Sequence, residues 1–198
     1  MFGSVDTEHG RKGGRPRSEH ARAAVLHAVD DLLVEIGYTA MTMKGIAERA
    51  GVSRQTVYRW WATKAEILFE ASAADAAEEL SVPPGESALA EIGAYLEALV
   101  GFLARSPAGA AYRALLGEAQ HDAEVARLLA SKDPLGDSAR AVINRAVGTA
   151  ALSTPLDQAT AQLVGPTFFW ILSGRDGSTL DPRSLARDFL ERHTRLTS

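Results

Sequence analysis

Residues 42–61 read T-M-K-G-I-A-E-R-A-G-V-S-R-Q-T-V-Y-R-W-W, and this stretch decides the fold. Thr42 begins a short predicted helix that Gly51 stops, and Ser53 caps a second helix almost at once. Two helices joined this tightly must cross at a large angle, as in a helix-turn-helix unit. Apolar residues of both helices can close a small core against the preceding amphipathic helix: Ile46, Ala47, Ala50, Val52, Val57 and Trp61, with Leu32, Leu33 and Ile36 behind them.

The second short helix then has a polar outer face. An α-helix fits the major groove of DNA, where Arg can pair with guanine and Gln with adenine. Tyr58 points away from the apolar stripe, which favours a phosphate contact over burial. Arg59 has two equally supported interpretations: a charged side chain that is only solvated, or a hydrogen bond to a phosphate. The outward residues predicted to contact DNA are Arg54, Gln55, Thr56, Tyr58 and Arg59.

The two tryptophans that follow have different predicted places. Trp60 can donate its indole N–H to a phosphate, or its ring can pack against the neighbouring helix end. Trp61 lies four residues after Val57 on the apolar stripe, which predicts a core position.

Charge is distributed unevenly along the chain. The formal net charge is −4, yet residues 9–64 sum to +5 and residues 67–198 to −6. A basic front on an acidic body suggests a module that binds a polyanion. The arm R-K-G-G-R-P-R at 11–17 contains Arg15 and Arg17, which can enter an A·T-rich minor groove as an AT-hook peptide does. The alternative is a basic tail that adds only nonspecific affinity.

Composition sets the class of the rest. Ala and Leu number 35 and 22 against 12 Val and 6 Ile in the 198 residues, which predicts an all-α fold. The absence of cysteine excludes disulfides and thiolate metal sites. The chain has neither an apolar run that could span a bilayer nor the pattern of a signal peptide, so we expect a soluble cytoplasmic protein.

Pro and Gly divide the chain into predicted parts. Residues 1–18 form a flexible basic arm, residues 19–79 a helix-turn-helix domain, and residues 86–198 a helical body. The linker between them is Val82-Pro83-Pro84-Gly85, because tandem prolines cannot continue a helix. Predicted body helices cover 87–105, 108–120, 122–132, 135–150, 157–173 with a kink at Pro166, and 182–196.

These motifs resemble the TetR family of one-component bacterial transcriptional regulators. The resemblance covers about residues 19–79 and rests on Gly37-Tyr38, Thr42, the run I-A-E-R-A-G-V-S at 46–53, T-V-Y-R at 56–59, and Lys64 with Glu66 and Leu68. It implies that Thr42, Tyr58 and Lys64 hold phosphates, while Arg54, Gln55 and Thr56 meet base edges. Two features depart from the family pattern: Trp60-Trp61 replaces His or Tyr followed by Phe, and Gly45 stands where an acidic residue would complete a capping box.

The body carries no catalytic or metal-binding motif, so we expect neither an enzyme nor a bound cofactor. The resemblance implies instead a cavity that selects a largely apolar small molecule, as well as dimerisation. Candidate lining residues are Tyr95, Leu99, Phe102, Tyr112, Leu116, Gln120, Asn144, Thr167 and Trp170.

A single helix-turn-helix buries too little DNA for high specificity, so two half-sites and a homodimer are expected. The last two helices are the predicted interface, and the competing explanation is that their apolar residues complete the core of the monomer. We therefore expect a ligand-responsive repressor on a palindromic operator, with an architectural DNA-binding dimer that has no effector as the alternative. The predicted interface residues are Leu163, Phe168, Ile171, Leu172, Leu185 and Phe189.

Overall fold

A computed structural model describes residues 15–194, with side chains from Ser18 onward. The described part is helical and contains no strand, which confirms the all-α prediction. Two 3₁₀ turns lie at Thr149–Ala151 and Gly177–Thr179. The α-helices are α1 (Arg15–Ala40), α2 (Met43–Arg49), α3 (Arg54–Tyr58), α4 (Lys64–Glu79), α5 (Ala88–Arg105), α6 (Pro107–Glu118), α7 (Ala123–Ser131), α8 (Pro134–Ala146), α9 (Leu156–Leu172) and α10 (Pro182–His193).

Helix α1 begins at Arg15, inside the segment 1–18 that the sequence predicts as a basic arm. Residues 1–14 lie outside the described part, so a flexible arm there stays a prediction. Gly37 interrupts α1 with φ 74°, a left-handed conformation that glycine adopts without steric cost.

The head of the molecule, α1 to α4, is built around the predicted three-helix core. Ile46, Ala47, Val57 and Trp61 are buried, and Leu32 lies behind them. The prediction for Ile36 was wrong, because half of this side chain is exposed. The chain turns at Gly37, so the buried residues that close the core beyond it are Tyr38 and Met41.

The body is arranged around α5, which packs against α6, α8, α9 and α10. Helix α4 connects the two regions: its first half packs into the core of the head, while Ala76 and Leu80 belong to the core of the body. Helix α9 runs on through Pro166. Within residues 15–194, none of the helices combines the length and the apolar character that crossing a membrane requires.

Three of the six predicted interface residues complete the core of the monomer. Leu163, Ile171 and Phe189 are buried against α5 and its neighbours, which agrees with the competing explanation, and their place in an interface stays a prediction. The apolar period of a helix marks its buried stripe without saying whether the same chain or a second copy covers it. Phe168 and Leu185 are partly buried, and Leu172 is exposed.

Candidate nucleic-acid interface

Two side-chain caps fix the helix-turn-helix unit. The Gly45 N–H donates to Thr42 Oγ1 over 3.0 Å at the start of α2, and the Thr56 N–H donates to Ser53 Oγ over 3.1 Å at the start of α3. Gly51 has φ 66°, which lets the chain reverse in the turn between them. The sequence signals for both helix starts were therefore read correctly.

Helix α3 turns its polar residues to solvent, as the sequence predicts. Val57 is fully buried, while Arg54, Gln55 and Arg59 are exposed. Tyr58 is 55 % exposed, with its ring directed away from the core. Thr56 is half-buried, and its hydroxyl lies 2.9 Å from Ser53 Oγ. Four polar or aromatic side chains thus share one open surface that a duplex can reach.

The double tryptophan divides as expected between surface and core. Trp60 is half-buried and meets the Trp61 ring edge-on, which agrees with the packing alternative. The Arg59 guanidinium lies 4.6 Å from the centre of the Trp60 ring, so a cation–π contact orients this arginine beside α3. Trp61 is buried, and its Nε1–H donates to Glu70 Oε2 over 3.0 Å.

Lys64 has a role inside the protein that sequence reasoning missed. Its ammonium donates to the carbonyl oxygens of Tyr38, over 2.9 Å, and Met41, over 3.1 Å, and lies 4.2 Å from the centre of the Tyr38 ring. Burial raises the pKa of Tyr38 to about 12. Lys64 therefore stabilises the end of α1, and its phosphate contact stays a prediction that would compete with these bonds.

An ion pair that the sequence did not reveal joins α2 to α1. Arg49 donates to both carboxylate oxygens of Glu35, and Asp31 lies 3.6 Å away. The hydrogen bond from Arg49 lowers the pKa of Glu35 from its ordinary value. The pair is exposed, so its contribution is orientation of α2 more than stability.

The structure does not describe the predicted DNA contacts of the basic arm, residues 1–18. The side chains of Arg15 and Arg17 and all of residues 1–14 lie outside the described residues. An AT-hook peptide binds as an extended chain, whereas the backbone from Arg15 onward is helical. Minor-groove binding by this segment therefore remains a prediction.

Comparison with known proteins gives the family. Residues 25–71 match the bacterial regulatory proteins of the tetR family, and residues 82–190 match a tetracyclin repressor-like C-terminal domain. The chain belongs to the TetR family. It is a transcriptional regulator with a helix-turn-helix DNA-binding domain, and regulators of this family are not enzymes.

Individual relatives agree with this assignment. The uncharacterized HTH-type transcriptional regulator YdeS of Bacillus subtilis (strain 168) is 33 % identical over 165 residues, which cover 81 % of this chain and 83 % of YdeS. A TetR transcriptional regulator from Rhodococcus sp. RHA1 is 19 % identical with a TM-score of 0.60, covering 88 % of this chain and 97 % of that one. NalD from Pseudomonas aeruginosa, the secondary repressor of the MexAB-OprM multidrug efflux pump, is 24 % identical with a TM-score of 0.53, covering 90 % and 99 %. These two structures support the fold alone.

The TetR-family body has a half-open cleft of about 790 Å³, which lies between α4, α7 and α8. Trp61, Glu66 and Glu70 of the head form one part of its wall, and Ser138 and Arg145 of α8 form another. None of the nine residues predicted to line a pocket is among its lining residues. The predicted pocket residues and this cleft are therefore different places in the body, and a ligand site at those nine residues stays a prediction.

Most of the predicted pocket residues occupy the core instead. Tyr95, Leu99, Phe102, Tyr112 and Thr167 are buried in the body, and Leu116 packs against them. Trp170 is half-buried, and its Nε1–H donates to the Asp176 carbonyl oxygen over 3.0 Å. Gln120 and Asn144 are exposed on the surface. Core and cavity walls draw on the same apolar residue types, so composition could not separate them.

One run in the sequence could have indicated the cleft. Residues 70–77 read E-A-S-A-A-D-A-A, and Ala73, Ala74 and Ala77 of this run line it. Methyl side chains at successive turns leave room beside a helix where larger ones would fill it.

Proposed function

We propose that this TetR-family regulator is a ligand-responsive repressor that binds a palindromic operator as a homodimer. The observation that carries the proposal is the outward face of α3, where Arg54, Gln55, Tyr58 and Arg59 are exposed beside the buried anchor Val57. The repressor role has a precedent in NalD, which is named as a repressor. Repression follows when an occupied operator excludes other proteins from the promoter.

We divide the side chains of α3 and its flanks into those that contact bases and those that contact phosphates. We assign base contacts to Arg54 and Gln55, which have long polar ends, and to Thr56 at the groove edge. Phosphate contacts fall to Tyr58 and to the Arg59 guanidinium, which Trp60 holds. The Thr42 hydroxyl oxygen accepts the Gly45 N–H, and this bond does not use the hydroxyl proton. The proton is therefore free to be donated to a phosphate.

The surface of α9 and α10 supports the dimer. Phe169 is 64 % exposed and Leu172 lies beside it, although large apolar side chains are normally buried. A groove of about 390 Å³ between the two helices is lined by Gly165, Pro166 and Leu185, among others. Two copies related by a twofold axis would cover this surface on each other.

The experiment measures mass and operator affinity together. DNA selected from random duplexes should be palindromic, and the protein should sediment at twice 21.1 kDa. Phe169→Glu should give a monomer that loses most of its affinity for the full palindrome, because charge enters the interface. Val34→Glu is the matched control, since Val34 is an equally exposed apolar residue on α1. A monomeric wild-type protein, or selected DNA without symmetry, would contradict the proposal.

An architectural DNA-binding dimer without an effector is the second candidate. It predicts that no small molecule changes operator affinity. The cleft favours the ligand-responsive function, because it is large, mostly apolar and walled by both the head and the body. A ligand that prefers one arrangement of head and body lowers DNA affinity by the same factor by which DNA lowers ligand affinity.

A further inference from the structure

The lining of the cleft follows one stripe of residues on α4 and one on α8. On α4 the lining residues recur at three- and four-residue intervals from Glu66 to Leu80, and on α8 they do so from Pro134 to Arg145. At 1.5 Å per residue the α4 stripe is about 20 Å long. The lining includes four small side chains, Ala73, Ala74, Ala77 and Ala141. The shape therefore suits an elongated molecule.

The walls are mainly apolar, and the lining carboxylates already have donors. Glu66 Oε2 accepts the Ala62 N–H over 2.7 Å. Glu70 accepts the indole N–H of Trp61 and forms an ion pair of 2.8 Å with Arg22. The third lining carboxylate, Asp137, accepts from Arg140 over 3.0 Å. Each lining carboxylate therefore already accepts at least one hydrogen bond or ion pair from the protein.

The lining cations, by contrast, keep N–H donors to spare. Arg145 donates through Nε to Glu91 Oε1 and through one Nη to the Val82 carbonyl oxygen over 3.0 Å. A guanidinium has five N–H donors. Both N–H groups of the other terminal nitrogen, Nη1, bond to none of the described residues and therefore remain free to bind a ligand. Lys132 has no hydrogen bond or ion pair to any residue in the described range 15–194. Arg145 and Lys132 therefore offer free N–H donors to a ligand that brings acceptor oxygens.

Arg145 also holds the segment that joins head to body. Glu91, only 4 % exposed, receives Arg145 on one oxygen and the Gly85 N–H on the other, over 3.2 Å. Together with the bond to Val82, these contacts fix the linker that follows α4. The linker is packed closely here, because a Cβ on Gly85 would lie 3.0 Å from the Glu91 backbone nitrogen. A group that draws Arg145 away would release the linker.

We propose that the cleft binds an elongated apolar molecule with one acid group, and that the acid binds Arg145 and loosens its hold on Glu91 and Val82. This inference rests on the proposed ligand response and adds the class of ligand and the residue that senses it. We place the acid at Arg145 and not at Lys132, because Arg145 contacts the linker at Val82, whereas Lys132 precedes α8 and makes no such contact. Freeing the linker would let α4 shift relative to α5.

The test uses three probes of equal chain length: dodecanoate, dodecanol and dodecylammonium. Isothermal titration of the full chain should show dodecanoate binding at least tenfold more tightly than the other two. Arg145→Gln should abolish this preference, whereas Glu91→Gln should strengthen dodecanoate binding, because Arg145 then loses its competing carboxylate. Lys132→Gln should leave the preference in place.

Two further variants keep the result interpretable if Arg145→Gln fails to fold with Glu91 left unpaired. The double variant Glu91→Gln with Arg145→Gln removes both charges and should bind dodecanoate no better than dodecanol. Ala74→Leu should weaken the binding of all three probes, because it places a larger side chain in the lining of the cleft, while Ala94→Leu, on the exposed side of α5, should not.

Equal affinities for the three probes, a preference for dodecylammonium, or a dodecanoate preference that survives in the double variant would overturn the inference. Operator affinity is measured in parallel, with and without dodecanoate. A protein that binds its operator and ignores every acid refutes the ligand class alone. A protein that binds no duplex refutes the proposed function.

Discussion

The DNA-facing surface of the head and the cleft of the body are formed in opposite ways. The DNA-facing surface is formed by side chains that project from α3, among them Gln55 and Tyr58. This five-residue helix is capped by Ser53 and anchored in the core by Val57. The cleft consists of volume that side chains leave empty, along a run of alanines on α4. Projecting groups can be recognised from residue type and spacing, whereas empty space depends on how far apart two helices pack.

Trp61 belongs to both regions and gives the largest expected effect. Its buried ring fills the core of the head and also forms part of the cleft wall. Trp61→Ala should lower the free energy of unfolding by about 3–5 kcal/mol, because it opens a cavity and leaves Glu70 without the indole donor. Urea denaturation measures the change. Trp60→Ala is the control, with an expected loss of about 1 kcal/mol; similar losses for both would mean that the two rings are equally buried.

Tyr95 tests the reassignment of the body aromatics from pocket to core. Its hydroxyl donates to the Leu135 carbonyl oxygen over 3.2 Å and lies 3.1 Å from Ser138 Oγ, and burial raises its pKa to about 12. Tyr95→Phe should cost about 1 kcal/mol in thermal or urea unfolding without changing the binding of small molecules.

Tyr112→Phe is the matched control for that change. Tyr112 is also buried, yet its hydroxyl makes no hydrogen bond within the described residues. We expect a change close to zero. A loss of ligand affinity in Tyr95→Phe would instead mean that Tyr95 contributes to a ligand site.

Asp30 gives an effect of at most similar size that depends on pH. Burial raises its pKa to about 6, and the charge of Asp75 on α4 adds to the shift while His27 opposes it. The folded state therefore disfavours the ionised carboxylate, so this group lowers stability as pH rises from about 4 to about 6. Partial exposure limits the effect to about 1 kcal/mol.

Asp30→Asn should accordingly raise the free energy of unfolding at pH 7.5 and change it little at pH 4. The measurement is a pair of urea titrations at the two pH values, compared with wild type. Asp31→Asn serves as the control, since Asp31 is exposed and lies 3.6 Å from Arg49. A gain for Asp30→Asn at pH 4 only would reverse the predicted sign.

Sequence reasoning succeeded where local chemistry determines structure. The caps at Thr42 and Ser53 and the breaks at proline predicted most helix limits, because each acts within four residues. It failed where the answer depends on distant contacts. Ile36 continues an apolar period but lies just before the Gly37 turn with half of its side chain exposed, and Lys64 has the charge for a phosphate but meets backbone carbonyls 23 and 26 residues away.

The central claim is that the outward face of α3 reads DNA, and equilibrium binding of two variants tests it most directly. Dissociation constants are measured for wild type, Gln55→Ala and Tyr58→Ala on a selected palindrome and on a scrambled duplex at one salt concentration. Gln55→Ala should weaken binding to the palindrome alone, by about 5- to 150-fold, as expected for a lost base contact. Tyr58→Ala should weaken binding to both duplexes by the same factor. Unchanged affinity in both variants would contradict the account.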